Sequence, residues 1–526
     1  MTFTPSTLGL PQRYSSYRPR QFETALDLAA NAAQCRWSLL RASTGSGKTL
    51  LGATTIKLHG GRGLMLTGTR ALQSQSMRDL AECGMKLVQG AANYRCLDGQ
   101  RSTCDRSEHA DNVRYCPYRR PIDIDHPVQC TQLVAYDEAR RASLVTGNYA
   151  VWMAMSRLPA EVLGRFDLLW CDECHSILSW LTDACGVEFT SHELHAVNVA
   201  PPPVNESSDA WHEWACIAVE VVADVYRRSR DKGATQLQLA KLTDLGKRLR
   251  RVSEIDTTTE QWVGERTQHG ARYVPVWPAP YAEAKLWRGV QRIVLSSATL
   301  TREDAKHLGI AGDAYTLHEV DAGFDAARCP LYYLPTCKVD MKMTEGEWRL
   351  VCNEFDRFMA SRLALGRRGV VQATSYEWAK RVIATSRHAG QMVTHRRDST
   401  EMRNTVARWA RGEGPPVLVS PAVHEGHDFA DNVARFQVIV KVPYPNSSSP
   451  IMRARCASDK SYRDHVTCRT MEQQCGRARR SHSDWAELFI ADSHFGYMRA
   501  RPMWSKSFRA TWREVESVPA PMEVAA

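Results

Sequence analysis

Ser43-Thr44-Gly45-Ser46-Gly47-Lys48-Thr49 combines two glycines, short hydroxyls and one lysine in a run suited to a chain of phosphates. Glycines let successive backbone N–H groups turn toward an anion, and the lysine adds a mobile charge. Lys48 would reach the β- and γ-phosphates, and the Thr49 hydroxyl would ligate Mg²⁺. The apolar run Trp37-Ser38-Leu39-Leu40 leads in, and a helix-compatible segment follows from Leu50. The positive end of that helix faces the same anions. Ala42 stands where the general pattern has its first glycine. The bland alternative is a Gly/Ser turn that happens to precede Lys-Thr.

A second chemical pair, Asp172-Glu173, follows a strand-like run, Phe166-Asp167-Leu168-Leu169-Trp170. Carboxylates there are costly unless they meet a cation. Asp172 would hold Mg²⁺ through water, and Glu173 would orient and deprotonate an attacking water. A third strand, Arg292-Ile293-Val294-Leu295, runs into Ser296-Ser297-Ala298-Thr299, whose hydroxyls suit a sensor of γ-phosphate, or simply a capped strand end. In Gln473-Gln474-Cys475-Gly476-Arg477-Ala478-Arg479-Arg480, helical spacing puts Arg477 and Arg480 on one face. Such a pair can neutralise charge on a phosphoryl group in transfer. A solvated basic helix face is the alternative.

In this order the segments resemble the motor of superfamily 2 helicases, in the branch of XPD and DinG. Tyr17-Arg18-Pro19-Arg20-Gln21 looks like the Q motif, which implies that Arg18 and Gln21 read the nucleotide base. Thr67-Gly68-Thr69-Arg70-Ala71-Leu72 is similar to motif Ia, which assigns Thr69 and Arg70 to DNA. Asp172-Glu173-Cys174-His175 resembles a DEAH box with Cys in third place, and Ser297-Ala298-Thr299-Leu300 resembles motif III. His175, Ser297 and Thr299 are thereby implied in coupling. Glu425-Gly426-His427-Asp428 looks like motif V and Gln473 to Arg480 like motif VI, which adds Gly426, Asp428 and Gln473 to the nucleotide site. The resemblance spans most of residues 15–495. It implies an ATP-dependent DNA helicase moving 5′→3′ on single-stranded and forked DNA, a monomeric motor working beside replication or repair proteins. A translocase that remodels protein–DNA complexes without parting strands is the alternative, and a binding scaffold with a silent NTPase fold is the rival from another class.

These residues need an α/β scaffold with two RecA-like parallel-sheet lobes. The first lobe is expected over 1–325 and the second over 326–500, with a tail at 501–526 whose Pro519-Ala520-Pro521 reads as a loose end. In the second lobe Gly369-Val370-Val371-Gln372 is strand-like and Tyr376 to Ala389 helix-like; Val417-Leu418-Val419, Phe436 to Val442 and Leu488-Phe489-Ile490 supply further strands. Two gaps in the first lobe exceed ordinary loops. The stretch 88–145 carries Cys96, Cys104, Cys116 and Cys130 without any close C-x₂-C pair. Four such thiols can hold a [4Fe–4S] cluster, bind zinc, or stay unmetallated. The family carries its cluster domain at this point, and Cys83 is a substitute ligand. The stretch 186–265 reads as helical, with an apolar stripe at Trp211, Trp214, Ala218, Val221, Val222 and Val225 and another at Leu242, Leu245 and Leu249. It corresponds to a small Arch-like domain, with Arg227, Arg228, Arg230, Lys232, Lys247, Arg248, Arg250 and Arg251 available to flank a strand of DNA.

At 526 residues the chain is too long for one core, and 43% hydrophobic with 24% charged residues is the balance of a soluble globular protein. A formal net charge of +10 favours an anionic partner, nucleic acid being the usual one. No apolar run approaches the length of a membrane span, and Met1-Thr2-Phe3-Thr4-Pro5 lacks the layout of a secretory signal. The expected location is the cytoplasm of a bacterial or virus-infected cell, with nucleoid association as an alternative.

Overall fold

The computed structural model describes residues 3–30, 35–43, 45–97, 103, 130–158, 162–204, 207–321, 323–423, 429, 431–476 and 483–523. The chain forms two compact units. One comprises Met1–Leu40, Thr49–His318 and Asn446–Asp459, the other Arg41–Lys48, Glu319–Pro445 and Lys460–Ala526.

A seven-stranded sheet runs in the order Tyr315–Val320, Trp37–Ala42, Arg292–Ser297, Leu168–Asp172, Gly63–Thr67, Leu144–Asn148, Lys86–Leu87. Three of its inner strands, Gly63–Thr67, Leu168–Asp172 and Arg292–Ser297, are buried at every position. Parallel strands covered on both faces read this way, as near-continuous apolar runs. Leu168 to Asp172 pair in parallel register with Arg292 to Ser296. The helix Lys48–His59 is buried continuously from Leu50 to Ile56. Gly52 makes this approach feasible, because a Cβ there would lie 2.8 Å from Trp170 Cε2.

The stretch after Asp183 holds more than helices. Val187–Thr190, Gly270–Pro275 and Trp262–Arg266 form a three-stranded antiparallel sheet. Two helices, Ser208–Asp231 and Gln236–Ser253, pack over it through Trp211, Ala218, Val222, Leu245 and Leu249. Trp211 is fully buried and stacks on Tyr273 with ring centroids 4.6 Å apart, so it belongs to the core. Thr235 caps the second helix reciprocally with Gln238. The strands are four to six residues long and lie outside the two stripes, which hid them behind the helical periodicity.

The segment Asn446–Asp459 leaves the second unit to pack within the first. Sequence order had placed it in the second lobe. Its helix Pro450–Ser458 is fastened by Arg455, which is 6% exposed and donates to the Val276 carbonyl (2.8 Å) and to Thr182 Oγ1 (2.7 Å). Trp277 Nε1 donates to Ser458 Oγ (2.9 Å), and its ring stacks on His307, whose Nε2 lies 3.1 Å from Asp459 Oδ2.

In the second unit the sheet order is Met392–Val393, Val417–Ser420, Gly369–Gln372, Phe436–Ile439, Glu487–Asp492, Leu331–Cys337, Trp512–Glu514, paired in parallel throughout. Trp348, Phe355, Phe358, Phe436 and Phe489 fill one face. Residues 501–523 are not a loose end. Trp512 to Glu514 add the edge strand beside Leu331 to Tyr333, and Trp504 and Phe508 enter the core with Phe495. The fully buried ion pair of Arg362 with Glu487 is completed by the chain end, since Arg362 donates to the carbonyls of Pro519 (2.8 Å) and Ala520 (3.2 Å). Arg367 donates to the Met522 carbonyl (2.6 Å), and Met522 N donates to Glu487 (3.1 Å). This segment has no apolar period to betray it, because its backbone carbonyls do the work. Deleting 515–526 therefore strips charge-assisted bonds from a buried pair, at a cost of about 2–5 kcal/mol. Thermal unfolding of the shortened chain should begin several degrees lower, and an unchanged transition would show that these carbonyls carry no stability.

Candidate functional site

The loop after Trp37–Ala42 is held at its start, where Ser43 N donates to the Val320 carbonyl (3.1 Å) and Ser43 Oγ to Asp321 (3.4 Å). Ser46 N donates back to the Ser43 carbonyl (3.1 Å), closing a turn. Gly45 and Gly47 sit at φ 82° and 79°, on either side of the buried Ser46. Left-handed backbone of this kind is open to glycine and builds concave arrays of N–H groups. Lys48 opens the helix and Thr49 is its second residue. Thr44 lies outside the described residues. Upstream, Arg18 N donates to Gln21 Oε1 (3.0 Å); Gln21 is buried and the Arg18 side chain is exposed. Thr54, on the loop's helix, donates to Tyr17 OH (3.3 Å), which fixes this segment against that helix.

Asp172 ends its strand 8% exposed, and its backbone carbonyl accepts from Tyr149 OH (2.7 Å). Burial holds the Tyr149 phenol well above its usual pKa, so it stays a neutral donor. Glu173 adopts φ 47°, ψ 46°, a left-handed conformation that costs a non-glycine residue about 1–3 kcal/mol. Ser176 restrains it, its N and Oγ both donating to the Glu173 carbonyl (3.1 and 2.9 Å). His175 Nδ1 lies 3.3 Å from Glu173 Oε2 and 3.0 Å from Ser297 Oγ. Ser297 Oγ accepts from Thr299 N (3.3 Å) and lies 3.5 Å from Thr299 Oγ1. A polar chain thus joins the ends of two neighbouring strands, from Glu173 through His175 to Ser297 and Thr299. Burial pushes the Cys171 and Cys174 thiols up, which keeps both protonated.

The segment Thr67 to Leu72 touches the same loop. A Cβ on Gly68 would lie 3.3 Å from Ser176 Oγ. The Thr69 hydroxyl caps the helix Arg70–Leu80 by accepting from Leu72 N (3.3 Å), and Arg70 is exposed. If the chain is the ATP-driven, strand-parting motor that its motifs lead one to expect, and this polar chain couples the two activities, Ser297→Ala should leave ATP hydrolysis within a few-fold of wild type while strand separation falls by ~5–150-fold, the range of ordinary coupling energies. Parallel ATPase and duplex-unwinding assays check this, and an equal loss in both would refute it.

In the second unit, Gln473 lies near the end of the helix Tyr462–Cys475, and Gln372 Nε2 ties that end to the sheet through the Gln474 carbonyl (3.0 Å). Gly426, Asp428, Arg477 and Arg480 lie outside the described residues. So do Cys104 and Cys116. Cys96 is buried and Cys130 half-buried, and the segments beside them meet where Thr131 Oγ1 donates to the Arg95 carbonyl (3.0 Å). Cys83 donates its S–H to the Leu80 carbonyl (3.0 Å), and burial raises its pKa. Among the basic residues of the insertion, Arg248 is committed to Glu193 and Asp244, and Arg251 to the Cys185 carbonyl. Lys232, Lys247 and Arg250 are exposed.

Tyr149, Ser176 and Gly52 escaped the sequence reading. None sits in a motif with fixed spacing, although Asn148-Tyr149 closing an apolar run, with Asn148 capping the next helix, was a usable signal.

Residues 363–511 match the family model of the helicase C-terminal domain. In sequence, no curated protein matches the chain. Its fold is similar to a solved XPD helicase at 15% identity, covering 95% of this chain and 100% of that one with a TM-score of 0.65. XPD in its apo form (14% identity, 94% and 100% covered, TM-score 0.60) and S. tokodaii Xpd4 (15%, 95% and 100%, 0.60) are alike in the same way. Two parallel-sheet α/β units with these matches give the chain an XPD-like fold, whose residues 363–511 match the helicase C-terminal domain.

Proposed function

We propose that the chain is an ATP-dependent DNA helicase that moves 5′→3′ along a single strand and parts the duplex ahead of it. The observation that carries this reading is the polar chain Glu173–His175–Ser297–Thr299, because a strained carboxylate wired to a second strand end has no packing purpose. Ligands of open α/β sheets sit beyond the carboxyl ends of the strands. There Ser43 to Thr49 would wrap the triphosphate, with Lys48 on its terminal phosphates. Thr49 and Asp172 offer the hard oxygen ligands that Mg²⁺ requires. Mg²⁺, when bound, supplies charge neutralisation on the phosphates. Glu173 would take the proton of the attacking water, and His175 would hold that carboxylate in place. Arg18 and Gln21 would read the base, while Gly426, Asp428, Gln473, Arg477 and Arg480 would complete the site from the second lobe. Thr69 and Arg70 would face the strand.

Cys96 and Cys130, on segments bonded to each other, fit a soft four-sulfur site to which Cys104 and Cys116 would supply the remainder. A [4Fe–4S] cluster bound there would stiffen the 88–145 insertion as the wedge. Cys116→Ser should then remove visible-range iron–sulfur absorbance and impair unwinding more than hydrolysis. Protein containing zinc and no iron would refute the cluster.

The decisive experiment uses anaerobically purified protein on duplexes bearing only a 5′ or only a 3′ overhang. Unwinding confined to the 5′ overhang is expected. Single-strand-stimulated hydrolysis with no unwinding on either substrate would favour the remodelling translocase.

A further inference from the structure

We propose that Glu303, His307 and Asp459 bind a divalent transition-metal ion, Zn²⁺ above all, and that Lys306 holds its place until the ion arrives. One ligand atom from each of the three residues lies within 4.8 Å of the others. Glu303 and His307 stand four positions apart on the helix Arg302–His307, so their side chains share a face. The start of that helix is fixed where Thr301 N donates to Asp304 Oδ2 (2.8 Å). Asp459 arrives from another direction, directly after the helix Pro450–Ser458, with its N donating to the Arg455 carbonyl (2.8 Å). All three residues belong to the first unit, and none lies in a nucleotide or strand motif.

Two of the ligands are held in place before any ion binds. The His307 ring is 6% exposed and lies nearly parallel to Trp277 with centroids 4.7 Å apart, which resists rotation. Its Nε2 lies 3.1 Å from Asp459 Oδ2. Zinc bonds of about 2.0–2.2 Å set tetrahedral ligand atoms roughly 3.3–3.6 Å apart, so this pair needs little movement. Glu303, with 35% of its side chain exposed, has room to close the remainder. Lys306 Nζ donates to Asp459 Oδ2 (3.0 Å) and to Glu303 Oε2 (3.3 Å), which puts a cation where the two carboxylates converge. The Lys306 side chain is 62% exposed, and so open an ion pair is given up to water at small cost. An imidazole beside two carboxylates suits Zn²⁺, whereas Mg²⁺ and Ca²⁺ favour oxygen alone. Three protein ligands leave a fourth position for water. The ion would clamp the segment Asn446–Asp459 to the helix Arg302–His307 within the first unit.

The test titrates Co²⁺, and separately Zn²⁺, into the chelator-treated full chain. Co²⁺ on nitrogen and oxygen gives weak visible bands, while Co²⁺ on thiolate adds intense near-ultraviolet ones. The difference spectrum between wild type and Glu303→Gln should hold the weak bands alone, which sets the site apart from the cysteines. Glu303→Gln should weaken this binding by ~10–100-fold or more, since even the outer partners of a metal site are worth that much. In chelator the variant should unfold at the wild-type temperature. Zn²⁺ should raise that temperature by several degrees in the wild type and by much less in Glu303→Gln. Lys306→Met should bind the ion several-fold more tightly, because a like charge has gone. A flat difference spectrum, an equal stabilisation by Mg²⁺, or a Lys306→Met protein that binds no more tightly overturns the proposal.

Discussion

Lys48→Ala is expected to abolish measurable ATP turnover while leaving single-strand binding within a few-fold of wild type. The lysine heads a helix whose preceding loop holds two left-handed glycines, an arrangement suited to phosphate and to little else. Losing one preorganised cation from a phosphoryl-transfer site costs about 10²–10³ in kcat, before weakened nucleotide binding is added. In the proposed reading the strand is held away from the nucleotide loop, so its affinity and salt slope should survive. A phosphate-release assay and an anisotropy titration on one preparation decide the matter. Retained hydrolysis would remove the site assignment, and a parallel loss of strand binding would point to misfolding, which thermal unfolding would reveal.

Glu173→Gln should lower turnover by about 10²–10⁴, the usual worth of a positioned general base, with ATP affinity preserved. The amide keeps the size of the side chain and still meets His175, so the fold and the polar chain should persist. Glu173→Gly separates strain from chemistry. Glycine adopts the φ 47° conformation freely, so this variant should be inactive yet as stable as wild type or more so. A Glu173→Gly protein that hydrolyses ATP normally would show that the carboxylate is a structural accident.

The parts that sequence revealed are those governed by neighbours in the chain. Gly45, Gly47 and Lys48 announce a loop because the backbone conformation and the charge lie within a few residues of each other. Gly369–Gln372 coincides with its expected strand, since a fully covered strand must be apolar at each position. Asp172 and Ser297 were legible as strand ends for the same reason. What stayed hidden depends on distant partners. Arg455 looks like any basic helix residue until Val276 and Thr182 meet it. Pro519 and Ala520 contribute carbonyls, which no side-chain pattern advertises. The bridge from His175 to Ser297 spans 122 residues of sequence, and its existence follows only from the pairing of their strands.

The chain's passage out of and back into the first unit has a consequence for its biosynthesis. Arg455 and Ser458 complete contacts with Val276, Thr182 and Trp277, yet they emerge from the ribosome only after most of the second unit has been made. The first unit therefore cannot reach its final packing co-translationally as an N-terminal domain ordinarily does. Nascent chains halted before residue 446 should expose Trp277 and remain sensitive to protease there, and they should acquire protection only once the late-arriving helix is released. Expressing either half by itself would yield a fragment with an open seam rather than a lobe.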